Sequence, residues 1–306
     1  MRKFYRCDNG FIEVAGGDAV CWVDVVQPDN DEQTYLTDEE EIPPVLLEYL
    51  QDKDERPRVE REGEWFMTIV RVPVRLHSSA MPFGTVPLGV ISRDDGKVFT
   101  VCYYPNKMTD DYADHTRRKA IEYDNVANFT LRILYSAAFW YLDYLHTVTQ
   151  DVVGTEKKLR QSVQNTELIN LMKIQKSLVF FNTSVKGDSL VLERLEKIYA
   201  GSIDSELYED VEIELRQADS TIGIYSNILE GTMDAYASII NNNVNGIMKR
   251  MTGLSIILMV PTFVASLYGM NVDILLSGKY AFWIILLIAI ALTAVAFLIL
   301  RRCRWI

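Results

Sequence analysis

Counting forward from Asp210 in alternating steps of three and four gives one stripe. It reads Asp210, Ile213, Gln217, Ser220, Ile224, Asn227, Gly231, Asp234, Ser238, Asn241, Asn245, Met248, Thr252, Ser255, Met259, Thr262 and Ser266. The next step lands on Gly269, which opens Gly269-Met270-Asn271 directly after Tyr268. The polar atoms on this stripe are amide, hydroxyl and carboxylate oxygens, with no Cys or His. Soft and borderline metals usually want sulfur or imidazole ligands of the Cys and His kind, which this stripe does not offer. An ordinary coiled coil fills such positions with Leu, Ile or Val. A period of 3.5 says that several helices wrap around a shared axis; the polarity says that the axis is wet. In a dry seam Asp234 would bring like charges together at high cost, whereas around water a ring of Asp234 concentrates cations. Met248 and Met259 would be apolar constrictions able to gate by dewetting. One chain cannot build such a pore, so a homo-oligomer is expected. The competing reading is that small and polar residues glue membrane helices together.

The elements that carry this stripe reach a membrane. Met251 to Tyr268 is uncharged, with only Thr252, Ser255, Thr262 and Ser266 polar. At ~1.5 Å per residue it spans roughly 27 Å, just enough for a bilayer core. Pro261 lies within it, and membrane helices tolerate such a proline with a kink. Tyr280 to Leu300 is a second uncharged run, and the short link between the two makes a tight hairpin. Lys249 and Arg250 precede the first segment, while Arg301, Arg302 and Arg304 follow the second. The loop holds only Asp273 and Lys279. The positive-inside rule therefore puts both chain ends in the cytoplasm and the loop outside.

The net charge of −11 over 306 residues speaks against nucleic acid and fits a cation-handling protein. The acidity lies before the membrane, because residues 249–306 are net basic. Cys7, Cys21, Cys102 and Cys303 are scattered, with no CxxC pair, which suits a reducing compartment. The start, MRKFYRCDNG, lacks the apolar stretch of a signal peptide. No GxxxxGK[ST], GxSxG or HExxH is present, so neither a pump nor an enzyme is indicated. No organic cofactor is expected.

Residues 1–125 read as a cytoplasmic α/β domain, with strands at 11–14, 19–26, 65–72, 86–91 and 98–104. Thr37-Asp38-Glu39-Glu40 resembles a capping box opening a short helix that ends near Leu50. Pro82, Gly84 and Pro87 are expected to mark a turn between strands. Residues 126–203 read as a helical hairpin region. One long helical stretch is expected over 125–181, with a break at Lys186-Gly187-Asp188 and a shorter helix from Ser189 to about Tyr199. Gly201-Ser202 breaks the pattern again. A stalk helix over 204–268 continues into the first membrane segment. The loop is 269–279, the second membrane helix 280–300 and the basic tail 301–306.

These features together resemble the CorA family of divalent-cation channels. The residues that carry the resemblance are Tyr268-Gly269-Met270-Asn271 at the end of the first of two terminal membrane segments and the tail Arg301-Arg302-Cys303-Arg304-Trp305-Ile306. Asn245 to Asn271 is similar to the family's pore helix, and Arg56-Pro57-Arg58-Val59-Glu60 to a motif of its cytoplasmic domain. The resemblance implies a homopentamer in the inner membrane with a cytoplasmic funnel. Five long helices would line the pore, and Gly269, Met270 and Asn271 would form its selectivity filter. A ring of Asn271 amides can bond to the water shell of Mg²⁺ without stripping it, which is apt because Mg²⁺ dehydrates reluctantly. Import would be driven by the membrane potential, with Co²⁺ and Ni²⁺ as passengers of similar hydrated size.

The resemblance also implies that cytoplasmic Mg²⁺ bound between subunits holds the pore shut. Asp210 matches the family's regulatory aspartate. Its partner carboxylate has no match, since the corresponding stretch reads Leu76-His77-Ser78-Ser79; Asp94 and Asp95, or Glu206 and Glu209, are the substitutes at hand. The loop lacks the acidic sequence often seen after the filter, and Ser266 stands where a glycine is common. Two other readings stay open: a related zinc or cobalt transporter, and a membrane-tethered scaffold or sensor. His77, His115 and His146 lie outside the stripe and read as surface or core histidines.

Overall fold

The computed structural model describes residues 1–17, 20–76, 81–93, 96–161, 165–269, 280–303 and 305. It divides into two compact units, Met1–Gly231 and Thr232–Ile306. The first unit is built on a seven-stranded sheet. Its strands are β1 (Arg2–Cys7), β2 (Phe11–Val14), β3 (Trp22–Val26), β4 (Arg58–Glu62), β5 (Trp65–Arg75), β6 (Phe83–Ser92) and β7 (Val98–Cys102). The order is β2-β1-β3-β7-β6-β5-β4. Only β3 and β7 pair in parallel; every other pair is antiparallel. The α/β class expected from the sequence is therefore present.

Both faces of the sheet are covered. β6 and β7 are buried throughout, which is why they read as continuous apolar runs rather than alternating ones. α1 (Asn30–Thr34) follows β3, and on one face of the sheet lies α2 (Pro44–Gln51), where Leu46, Leu47 and Leu50 pack with Val23, Val25, Met67, Ile69, Phe99 and Val101. On the other lie α3 (Met108–Lys119), α4 (Val126–Gln161) and α5 (Asn165–Ile198). There Trp22 stacks on Tyr5 at 4.3 Å between ring centres and meets Tyr112 and Phe129 edge-on.

Four expectations are corrected. The capping box lies at Asp29 and Glu32, not at Thr37. Glu32 N–H donates to Asp29 Oδ1 at 2.9 Å and Asp29 N–H to Glu32 Oε2 at 3.0 Å, while the Thr37 hydroxyl donates back to Gln33 O inside a π-helical turn, Tyr35–Glu39. Pro44 at the first position of α2 then starts a separate helix. Gly84 and Pro87 lie inside β6 rather than in a turn, paired with Val74 and Arg71. Pro87 is past the end of the β7 pairing, which starts at Gly89, so one side of β6 has no strand neighbour to miss its N–H there. A Cβ on Gly84 would meet Leu76 Cδ1 at 2.8 Å, so the glycine serves a close approach. The long helical stretch expected over 125–181 is two helices, α4 ending at Gln161 and α5 starting at Asn165.

The fourth correction concerns Lys186-Gly187-Asp188, which lies within α5 without breaking it. These residues mark a contact instead. A Cβ on Gly187 would lie 2.7 Å from Pro57 Cγ, so glycine lets α5 cross the start of β4. β4 starts opposite Ile69, and past that point on β5 the Arg71 N–H finds Asp188 Oδ1 at 2.8 Å. The Arg71 guanidinium bonds to the carbonyls of Lys53, Glu55 and Thr85 rather than to Asp188. Burial holds the Asp188 carboxyl well above the usual carboxylate range.

Asp24 on β3 is a second buried carboxyl, 2% exposed. It accepts from the Thr100 hydroxyl at 2.5 Å, and that hydroxyl accepts from Trp22 Nε1 at 2.8 Å. Burial pushes Asp24 up to about 6 despite the Thr100 bond. Its folded pKa thus lies above its unfolded value, so the folded chain holds a proton that the unfolded chain releases. The stability this contributes is full at low pH and is lost as pH rises through about 6, by about 3 kcal/mol for a shift of this size. Thermal unfolding of the detergent-solubilised chain is expected to show a falling midpoint from about pH 4 to about pH 7. Asp24→Asn should flatten that slope.

Candidate ion-conduction pathway

Helix α6 runs from Ser205 to Tyr268 with Pro261 inside it and no break. Its length is roughly 96 Å at ~1.5 Å per residue. Its start is fixed by Asp204, whose Oδ1 accepts from Glu206 N–H at 3.0 Å and whose own N–H donates to Asn128 Oδ1 on α4 at 2.9 Å. Within the first unit α6 buries Val211, Leu215, Ala218, Ile222 and Leu229. At 100° per residue these fall on the side of the helix opposite the stripe that starts at Asp210.

Every position of that stripe, from Asp210 to Ser266 and on to Gly269, is exposed. This includes large apolar members: Ile213 is 57%, Met248 61% and Met259 67% exposed. A straight helix drifts ~20° per heptad against a 3.5 repeat. Holding the whole stripe on one axis therefore takes supercoiling with partner helices.

Three hydroxyls on the stripe donate to the carbonyl four residues back: Ser238 to Asp234 O at 3.0 Å, Ser255 to Met251 O at 3.0 Å and Thr262 to Leu258 O at 2.8 Å. With the proton turned inward, each oxygen is left to accept from outside. The shell of a hydrated cation points its water protons outward, so acceptors are what it needs. Gly269 continues the last turn, its N–H on Ala265 O at 2.9 Å. Met270 and Asn271 lie outside the described residues.

The second apolar helix, α7, spans Ala281–Arg302, about 33 Å at ~1.5 Å per residue. Only 11% of its apolar window is buried within the chain, and the same holds for α6. A core helix of a soluble domain would be mostly buried. Phe282, Trp283, Leu287, Ile290 and Leu298 are each more than half exposed, a surface suited to lipid. Arg301 and Arg302 close the helix.

Of the acidic candidates, Glu206, Glu209 and Asp210 lie exposed on the first turns of α6. Asp94 and Asp95 lie outside the described residues, as does His77. Among the described residues no three His, Cys, Asp or Glu side chains come together to hold a metal ion. His115 and His146 are exposed, His146 beside Gln150 at 3.1 Å. Sequence reasoning missed the two buried carboxyls, Asp24 and Asp188. A charged residue inside an apolar strand, as in Trp22-Val23-Asp24-Val25-Val26, was the available signal for the first.

The profile of the CorA-like Mg²⁺ transporter protein family matches residues 17–302. The cobalt/magnesium transport protein CorA of Methanocaldococcus jannaschii is 24% identical over 295 residues, covering 93% of this chain and 91% of that one. The complete structure of the CorA magnesium transporter from the same organism superposes with a TM-score of 0.84 at 21% identity, over 100% of this chain and 99% of that one. The cytoplasmic domain of ZntB from Vibrio parahaemolyticus also shares the fold, with a TM-score of 0.59 at 12% identity over 80% and 98% of the two chains.

Proposed function

Because the chain belongs to the CorA-like Mg²⁺ transporter family, we propose that it is a homopentameric channel for hydrated Mg²⁺, driven by the membrane potential. Family membership places it among transporters rather than enzymes. One observation carries the reading: a polar 3.5-residue stripe is exposed along the whole of a helix that continues into an apolar, largely unburied span. Five copies of that stripe around a common axis make a pore lined by Asp234, Ser238, Asn241, Asn245, Met248, Thr252, Ser255, Met259, Thr262 and Ser266. Asn271, with Gly269 and Met270, forms its outer filter. The absence of Cys and His from the stripe favours Mg²⁺ over Zn²⁺, with Co²⁺ and Ni²⁺ as further cargo. Both chain ends face the cytoplasm, and cytoplasmic Mg²⁺ closes the pore by binding between subunits at Asp210. Because no carboxylate set for the ion assembles within one chain among the described residues, the remaining ligands come from a neighbouring subunit or from Glu206, Glu209, Asp94 or Asp95.

The test is flux. The protein is reconstituted in liposomes that hold a Mg²⁺-sensitive dye and carry an inside-negative potential. A divalent ion gains about 4.6 kcal/mol per 100 mV, so the response should rise with the imposed potential. Entry of Zn²⁺ but not Mg²⁺ would move the assignment to a zinc transporter. No flux of any divalent ion through a correctly assembled oligomer would leave only the tethered scaffold.

A further inference from the structure

The first unit contains a cavity of about 1240 Å³, lined by the end of β5, the segment after β7, and facing turns of α4 and α5. Its volume is above the ~300–1,000 Å³ common for small-molecule sites, so a ligand as large as a nucleoside triphosphate fits. Among the described residues Lys53, Arg75, Lys107 and Lys173 line it, against one carboxylate, Asp151. A lining that is net positive by three is unexpected in a chain of net charge −11. Among the described residues none of these four cations forms an ion pair, whereas Lys3, Arg58 and Lys97 are each matched to a carboxylate.

Two further features bear on what the cavity would bind. Asn106 also lines the cavity. Its Oδ1 accepts from Met108 N–H at 2.6 Å, but its Nδ2 is buried with no hydrogen-bond partner among the described residues. A buried donor without an acceptor is costly, and an oxygen of a ligand would satisfy it. The cavity also presents Tyr104, Trp140 and Tyr144. Each ring is fixed: Tyr104 donates to Gln51 O at 2.6 Å, Trp140 Nε1 to Asp111 Oδ2 at 3.2 Å, and Tyr144 meets Trp140 edge-on at 5.5 Å between centres. Cations with an orphaned amide donor suit phosphate oxygens; fixed aromatic rings suit a planar base.

We propose that this cavity is a binding site for a nucleoside polyphosphate. Arg75, Lys107 and Lys173 take the phosphates, and Trp140 and Tyr104 contact the base. The chain has no GxxxxGK[ST] loop, so the nucleotide is a ligand and is not hydrolysed for transport. The site is independent of the ion pathway, and the inference stands whichever ion the protein carries.

The test is calorimetric titration of the full-length protein in detergent with ATP, in EDTA so that Mg²⁺ chelation gives no signal. Tripolyphosphate and adenosine are titrated separately. The wild type should bind ATP saturably and more tightly than either fragment. Arg75→Glu and Lys173→Glu should each weaken ATP at least about tenfold, Lys173→Arg should restore near-wild-type binding, and Trp140→Ala should weaken ATP while leaving tripolyphosphate unchanged. Equal unfolding midpoints across the set show that the variants fold. Absence of ATP binding at millimolar concentration, affinity unmoved by the charge reversals, or tripolyphosphate binding as tightly as ATP would each overturn the proposal.

Discussion

Asn271→Ala is expected to abolish potential-driven Mg²⁺ uptake in liposomes while leaving assembly and thermal stability unchanged. The reason is multiplicity. In the proposed pentamer one substitution removes five amides from a single ring, and with them the acceptors proposed to meet the ion's water shell. At about 0.5–1.5 kcal/mol per hydrogen bond, five lost together exceed ~2.5 kcal/mol, a roughly hundredfold drop in entry rate. Asn271→Asp should fail differently. Five carboxylates hold Mg²⁺ strongly at the mouth, and conduction requires release as much as entry; uptake should saturate at lower Mg²⁺ and run more slowly. Undiminished uptake in the Asn271→Ala pentamer would remove this residue from the pathway. Dye-reported flux, read beside the oligomer's size in detergent, separates lost conduction from lost assembly.

The long periodic elements were legible because their pattern repeats many times. The stripe on α6 and the two apolar spans needed no tertiary information, and the expected start near Asp204 lies one residue from the observed Ser205. The family resemblance rested on the same segments together with the basic tail and Arg56-Pro57-Arg58-Val59-Glu60. What failed was local punctuation. Gly187 and Pro87 are breakers in isolation, but tertiary context makes one a contact with Pro57 and leaves the other at a place where β6 lacks a neighbour. β1 and β4 were not read as strands, since Arg2–Cys7 and Arg58–Glu62 carry charges at several positions and lack a clear apolar alternation. The cationic cavity could not be read at all. Lys53, Arg75, Lys107 and Lys173 come from four separate parts of the chain, and only the packing of α4 and α5 on the sheet brings them to one space.

Asp234→Lys is expected to produce the second large loss of flux, by a field rather than by contact. Asp234 is exposed, and Ser238 bonds to its main-chain oxygen, not to its carboxylate. In the proposed pentamer, five unit charges at ~10 Å act on a divalent ion with about 4 kcal/mol in a medium of water's dielectric constant. The wild-type ring attracts by that amount and the reversed ring repels by it, so the full swing approaches ~8 kcal/mol before screening. Salt shortens the reach to ~8 Å at 0.15 M and ~3 Å at 1 M. Uptake through the lysine variant should therefore be suppressed by at least about a hundredfold at low ionic strength and recover in part as monovalent salt is raised. The wild type should move the opposite way, losing local cation concentration as salt rises. Asp234→Asn should lie between the two and depend little on salt. These opposed slopes distinguish a charge ring around a wet axis from a structural role for Asp234. A defect in packing would lower flux at every ionic strength alike, and a helix seam closed to water would leave the wild type and both variants without a salt-dependent conductance.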